Sequence, residues 1–378
     1  MKPCAAIFAL TLLVSTGLAD GFYVWQQQWS SNVVAAVVSE PATTLYPLAT
    51  VVPASGASQP IAVPWDTLRA TDHRVVPVVR VPLKAFGRND LLDELVRLAR
   101  ELDDFDEIQL DLDCPESRLG EYAALTAAFR QQVPDKKLSI TALPSHLVNL
   151  AFQRLAQTTD YYVLQLHGLD VPGHIGDRTE LMNRRTAERA VERAETMGHP
   201  YRIALPCYAY ELNFDPDSGT FLFLTAERPA RRQPTVKKRS CAQPADLLHL
   251  CNTDREIIWF RLPVEGDRLC WPRETLAEIQ AGRVPENEIG LGVKPISGET
   301  LELILQNGNV IHTHAVELAL RWAEPRGAYD LYDGVAESDR IPGRLPAALS
   351  IDLPPPGQSK TIGWFATPQP PTTTLKLK

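Results

Sequence analysis

The segment Ile108-Gln109-Leu110-Asp111-Leu112-Asp113-Cys114 alternates apolar and polar side chains, the period of an extended strand whose successive residues face opposite ways. Gln109, Asp111 and Asp113 therefore share one face, and Ile108, Leu110 and Leu112 the other. If the apolar face packs on helices, the amide and both carboxylates point inward. Carboxylates two residues apart on one strand repel each other, and partial desolvation adds to the effect. One of the pair then holds its proton to a higher pH, which suits general acid work. The competing arrangement is a buried aspartate pair neutralised by arginine, and Arg80 and Arg261 are the countercharges at hand.

The same phase test picks out polar groups at the ends of other short apolar runs. Val163, Gln165 and His167 alternate with Leu164 and Leu166; Ser139 and Thr141 alternate with Ile140 and Ala142; Trp259 and Arg261 alternate with Ile258 and Phe260. Arg80 is in phase with Val78 and Val76, and Tyr23, Trp25 and Gln27 share one side of the first run. Tyr208, Tyr210, Glu116 and Glu211 stand just past strand ends. Aromatic rings cover the apolar faces of pyranoses, amides and carboxylates read hydroxyls, and an acid protonates the glycosidic oxygen. The set Asp113, Asp111, Gln109, Gln165, His167, Trp25, Arg80, Trp259, Arg261 and Tyr208 thus describes a saccharide site. Asp113 is its expected proton donor and Asp111 the electrostatic partner of that donor.

Other chemistries fit less of the chain. His167, Asp170 and His174 have an H-x2-D-x3-H spacing that could hold zinc, which would suit a metal-dependent polysaccharide deacetylase, but the spacing lies in an irregular loop. His312 and His314 read as surface residues of a strand. No phosphate-binding glycine loop, nucleophile elbow or cysteine–histidine protease pattern is present, so no metal and no cofactor is expected. One basic stretch, Arg228, Arg231, Arg232, Lys237, Lys238 and Arg239, reads as a solvated loop, or as a lip for an anionic polysaccharide.

The elements that must position these groups alternate. Strands are expected at 22–29, 48–52, 75–81, 108–113, 138–143, 161–167, 201–210 and 257–262, and helices at 91–102, 119–129, 147–155, 180–197, 245–250 and 274–281. Alternation means parallel pairing with crossover helices. Eight strands over residues 20–285 fit a (β/α)8 barrel of about 250 residues, whose sites lie at the carboxyl ends of the strands. A doubly wound open sheet is the runner-up, without its usual glycine turn. Asp215-Pro216-Asp217-Ser218-Gly219 reads as a hairpin turn. Residues 286–378 carry strands at 301–305, 315–320, 348–353 and 361–365, enough for a small antiparallel β-sandwich, with a Pro/Thr-rich tail from Thr367 that frays.

With 38 Lys and Arg against 46 Asp and Glu, the formal net charge is −8, which argues against nucleic acid as a partner. Apolar residues make up 44% and charged residues 22%, so the chain can bury a core. Lys2, the apolar stretch 5–14, and small residues at Gly17 and Ala19 fit a secretory signal peptide cleaved after Ala19. That run is too short to span a bilayer well. The mature protein is expected to be exported, periplasmic or secreted, with no stable membrane insertion. Five cysteines follow the signal: Cys114, Cys207, Cys241, Cys251 and Cys270. Cys241 and Cys251 are the expected disulfide.

The phrases Tyr23-Val24-Trp25-Gln26, IQLDLDCPESRL (108–119), LSITALPSHL (138–147) and YYVLQLH (161–167) resemble the bacterial domain-of-unknown-function family 3142, which implies no particular reaction. More distantly, residues 106–113 are similar to the D-G-x-D-x-D-x-E signature on the fourth barrel strand of chitinase-type glycoside hydrolases. In that pattern Asp113 stands where the acid glutamate falls, Gln109 replaces the first aspartate of the triplet, Glu107 replaces the glycine, and Trp259 resembles the aromatic floor. The resemblance implies an exported barrel acting on, or binding, a poly- or oligosaccharide by carboxylate acid catalysis. The alternative is a carbohydrate-binding protein or pseudoenzyme, since Asp113 is one methylene shorter than the family's acid.

Overall fold

The computed structural model describes residues 21–41, 43–226, 235–251, 255–267, 269–284, 289–308, 315–321, 328–331, 349–354, 358–366 and 372–377. The expected signal peptide, Arg228, Arg231, Arg232, His312 and His314 lie outside the described residues.

Eight parallel strands close into a barrel in chain order: Gly21–Val24, Thr44–Val51, Val78–Arg80, Glu107–Asp111, Lys137–Ala142, Tyr161–Gln165, Tyr201–Pro206 and Ile257–Phe260. The last pairs with the first, Trp259 opposite Phe22, which closes the ring. A helix follows each strand, as the alternation required. The first, Ser31–Ser39, escapes a propensity reading because it is rich in β-branched valine. Ser30 caps it by accepting from the Val33 N–H, and Val33 and Val37, one turn apart, bury its inner stripe.

Period-two alternation divides the strands between two cores. Ile108, Leu110, Leu138, Ile140, Leu164, Ile203 and Leu205 face the helices, where burial of apolar area at about 25 cal/mol per Å2 holds the helical layer. Tyr23, Tyr46, Val76, Val78, Tyr161, Val163, Ala204 and Ile258 fill the barrel, with Trp25 and Phe260 against them. The amino-terminal end of the barrel is closed by a charged network built around the buried Glu107. Glu107 accepts from Tyr161 and pairs with Arg74 at 2.5 Å, while Arg202 pairs with Glu256 at 3.0 Å and donates to the Tyr161 hydroxyl at 2.8 Å.

Between the seventh and eighth strands the chain builds a separate antiparallel sheet from Ala209–Phe214, Phe221–Thr225 and Val236–Cys241. The expected long strand 201–210 is thus two strands broken at Cys207. The hairpin turn is the anticipated one: the Asp215 carboxylate accepts from the Ser218 N–H at 2.7 Å, and Gly219 sits at φ 69°. The His174 ring lies so close to Gly219 that a Cβ there would be 2.4 Å from Nε2. Only glycine meets both demands.

Beyond Ile289 all pairing among the described residues is antiparallel. One sheet takes Ile289–Ser297, Thr300–Asn307, Gln358–Ala366 and Ala328–Leu331; the other takes Leu349–Asp352, Ala315–Arg321 and Thr372–Leu377. The tail therefore does not simply fray, because Thr372–Leu377 pairs along Ala315–Arg321, where three consecutive β-branched threonines suit a strand. Among the described residues, no helix is long and apolar enough to cross a membrane.

The expected Cys241–Cys251 bridge is not formed. Cys251 is the last residue of the helix Pro244–Cys251, and Cys241 ends a strand before it. The helix alone extends roughly 10 Å at its 1.5 Å rise, which carries the second sulfur away from the first.

Candidate active site

The carboxyl ends of the strands surround an open cavity of about 800 Å3, lined by Trp25, Arg80, Asp111, Asp113, Gln165, His167, Tyr208, Tyr210, Phe260 and Arg261 among others. Of the residues singled out from sequence, Asp111, Asp113, Gln165, His167, Trp25, Arg80, Arg261 and Tyr208 meet there. Gln109 and Trp259 do not.

The two aspartates have unlike surroundings. The fourth strand ends at Asp111, whose side chain is only 5% exposed, whereas Asp113 lies past the strand end with its side chain 55% exposed. Thr141 donates to Asp111 Oδ1 at 2.7 Å. The Arg80 guanidinium spans the pair, 3.8 Å from Asp111 and 3.3 Å from Asp113. Burial raises the Asp111 carboxyl to about 6 and the Asp113 charge adds to the rise, against the opposing pull of Arg80 and the Thr141 hydrogen bond. The pair therefore takes up one proton near neutrality, with Asp111 as its buried seat.

The wall beside the pair is aromatic. Trp25 packs edge-on to Tyr23 and against Phe260, and Arg80 lies over its ring at 5.7 Å. His167 packs against Phe260 with ring centroids 5.0 Å apart and meets the Tyr208 hydroxyl at 3.4 Å from Nδ1. Burial pushes the His167 imidazole down to about 4, so it is neutral at physiological pH and its Nε2, buried without a protein partner, can donate or accept. Arg261 is 2% exposed and pairs with Asp267, its Nε 3.1 Å from that carboxylate.

Several expectations change. Gln109 does face inward, but one layer below the cavity: it accepts from Tyr23 at 2.6 Å, donates to Ser139 at 3.3 Å, and is fully buried. Trp259 belongs to the outer core, packed against Trp271. The last strand is in the opposite register from the one that reading needed, with Ile258 and Phe260 inside. The aromatic ring that this strand turns to the cavity is therefore Phe260, which the same alternation identifies once Ile258 is taken as interior. Glu211 is absent from the lining because Lys237 pairs with it at 2.9 Å, and Glu116 is absent too. The described part of the basic stretch is structural, since Lys238 donates to the Asp177 carbonyl at 2.5 Å. His174 bonds the Ser218 carbonyl, and no group of metal-ligating residues assembles among the described residues.

Closed parallel strands, a crossover helix after each, and an acidic pair at the carboxyl mouth define a (β/α)8 barrel protein. Residues 88–265 match the model of a family described as Domain of unknown function (DUF3142), in agreement with the resemblance carried by the phrases at 108–119, 138–147 and 161–167. Among solved structures, the Bacillus cereus spore cortex-lytic enzyme SleL is similar at a TM-score of 0.52 and 10% identity, over 71% of this chain and 74% of that one. A chitinase from Chromobacterium violaceum ATCC 12472 aligns at a TM-score of 0.49 and 12% identity, over 70% and 98% of the two chains. A class V chitinase from Nicotiana tobaccum aligns at 0.43 and 12%, over 64% and 92%. At such identities the likeness is one of fold. No curated protein matches in sequence.

Proposed function

We propose that the chain is an exported glycoside hydrolase-like barrel that binds a poly- or oligosaccharide and cleaves it by carboxylate acid catalysis. One observation carries the reading: a buried carboxyl held protonated to about pH 6 stands beside an accessible carboxylate at the mouth of an aromatic-walled cavity. In this scheme Asp113 delivers the proton to the glycosidic oxygen as the C–O bond breaks, and Asp111 stores it between turnovers. Arg80 steadies the pair when both are ionised. Gln165 and neutral His167 read sugar hydroxyls, and Trp25, Tyr208 and Phe260 cover the apolar ring faces.

A non-catalytic binding role has its own support. Arg80 touches both carboxylates, as it would in a pair kept for structure, and Asp113 stands where the chitinase-type pattern has the longer glutamate. The deciding experiment is hydrolysis across a glycan panel, wild type beside Asp113→Asn. The proposal expects release of product from one glycan class and a loss of about 100-fold or more in the variant. Saturable glycan binding with no hydrolysis by either protein would establish the binding role instead.

A further inference from the structure

Behind the cavity wall, two thiols separated by 63 positions in the chain meet. Cys207 follows the seventh barrel strand, and Cys270 lies on the segment that returns after the eighth. The Cys207 sulfur is 3.0 Å from the Arg261 carbonyl oxygen and the Cys270 sulfur 3.4 Å from the same atom. Cys270 is also 3.2 Å from the carbonyl of Cys207 itself, and the two side chains hydrogen-bond to each other. Tyr208 and Cys270 face each other across an antiparallel bridge, with the Trp271 N–H donating to Cys207 at 2.7 Å and the Ala209 N–H to Leu269 at 2.8 Å. Cys207 adjoins Tyr208 and so stands diagonally across from Cys270, about 6 Å away for strands spaced ~4.8 Å with a rise of ~3.4 Å per residue, inside the ~4.4–6.8 Å span of disulfide Cα separations. Both residues are buried, at 0% and 3% exposure.

We propose that Cys207 and Cys270 form a disulfide when the chain folds in the presence of a small-molecule or protein disulfide, and that this bond braces the cavity wall. Glutathione disulfide serves as the concrete oxidant. One cysteine thiolate attacks a glutathione sulfur, the glutathione S–S bond breaks, and one glutathione leaves as thiolate. The second cysteine then attacks the cysteine sulfur of the mixed disulfide and expels the other glutathione. Two electrons pass from the cysteines to the oxidant, and the two thiol protons end on two reduced glutathiones. Burial of the pair places this exchange during folding, before the site closes over the sulfurs. The cross-link would tie Tyr208, on one side of the cavity, to the segment carrying Arg261 and Asp267. Because it closes a long loop, it restricts the unfolded chain strongly. The bond depends on neither the sugar-binding reading nor the export reading.

The test uses the wild-type chain, reduced, denatured and refolded in mixed reduced and oxidised glutathione. It is then alkylated under denaturing, non-reducing conditions, digested and mapped by mass spectrometry. The expected map joins the Cys207 peptide to the Cys270 peptide and leaves Cys114, Cys241 and Cys251 alkylated. The oxidised protein should also melt at a higher temperature than the same protein after reduction, and Cys207→Ser should abolish both the cross-link and the difference. Alkylation of Cys207 and Cys270 in the refolded protein, or a cross-link from either to another cysteine, overturns the proposal. A cross-linked protein whose melting temperature is unchanged by reduction overturns the bracing.

Discussion

Burial of Asp111, with the Asp113 charge beside it, sets an electrostatic cost that pH can switch on and off. The Asp111 carboxyl lies at about 6 in the folded protein against an ordinary value of 3.8. The unfolded chain therefore gives up this proton first as pH rises, so the folded state is penalised progressively between pH 4 and 6 and by a constant amount above. A shift of about two units corresponds to roughly 3 kcal/mol. Asparagine at 111 removes the ionisation, while its amide oxygen still accepts from Thr141, and Arg80 retains Asp113 at 3.3 Å. Asp111→Asn should therefore be more stable than wild type by up to about 3 kcal/mol above pH 7, and by almost nothing below pH 4. For a barrel of this size that is a rise in melting temperature on the order of 5 °C at pH 8. Thermal unfolding of both proteins from pH 3.5 to 8 provides the assay. A stability difference that does not grow across pH 4–6, or a variant less stable at pH 8, would refute the reasoning and mark Asp111 as the anchored half of an ion pair with Arg80.

Because Arg80 lowers the Asp111 value and Asp113 raises it, Arg80→Met and Asp113→Asn should move the Asp111 titration in opposite directions, up and down respectively; carboxyl 13C NMR reads both, and parallel shifts would contradict the geometry. Trp259→Ala empties a fully buried site and should cost about 3–5 kcal/mol in chemical denaturation. Trp25→Ala, at the cavity wall, should leave stability nearly intact and weaken glycan binding by isothermal calorimetry; the reverse pattern would exchange their roles. The mature exported protein should begin at Asp20, and intact-mass measurement of a secreted product retaining residues 1–19 would remove the signal-peptide reading.

Alternation along the fourth and sixth barrel strands carried the site because each has an unbroken apolar partner face: Leu110 and Leu112 must meet helices, which leaves Asp111 and Asp113 inside. It failed where both faces are apolar. In Ile257-Ile258-Trp259-Phe260 either phase buries comparable area, and only closure against Gly21 and Phe22 settles that Phe260 points in. Alternation also says nothing of depth. Gln109 and Asp111 share a face, yet one is sealed under Tyr23 and Ser139 and the other opens to the cavity, because side chains in a barrel interior stack in layers. The difference between Asp111 and Asp113 was hidden for a related reason, since the strand stops between them. The first helix was invisible to propensity but not to its cap, Ser30, and its buried valines one turn apart.

The arginine spanning the acidic pair also sets what the cavity will admit. Among the described lining residues the charged groups are Arg80, Asp111, Asp113 and Arg261, and Arg261 is already matched by Asp267. One guanidinium is left facing two carboxylates, and the neutral His167 adds no positive charge. Above pH 6 the mouth therefore carries a surplus negative charge, least screened at the buried Asp111. On the proposed saccharide-binding role, uronate- or sulfate-bearing glycans would be repelled from it, neutral sugars admitted, and amino sugars with a free ammonium drawn in. Below pH 6 the proton on Asp111 cancels the surplus, so acidity should relax the discrimination between charged and neutral glycans.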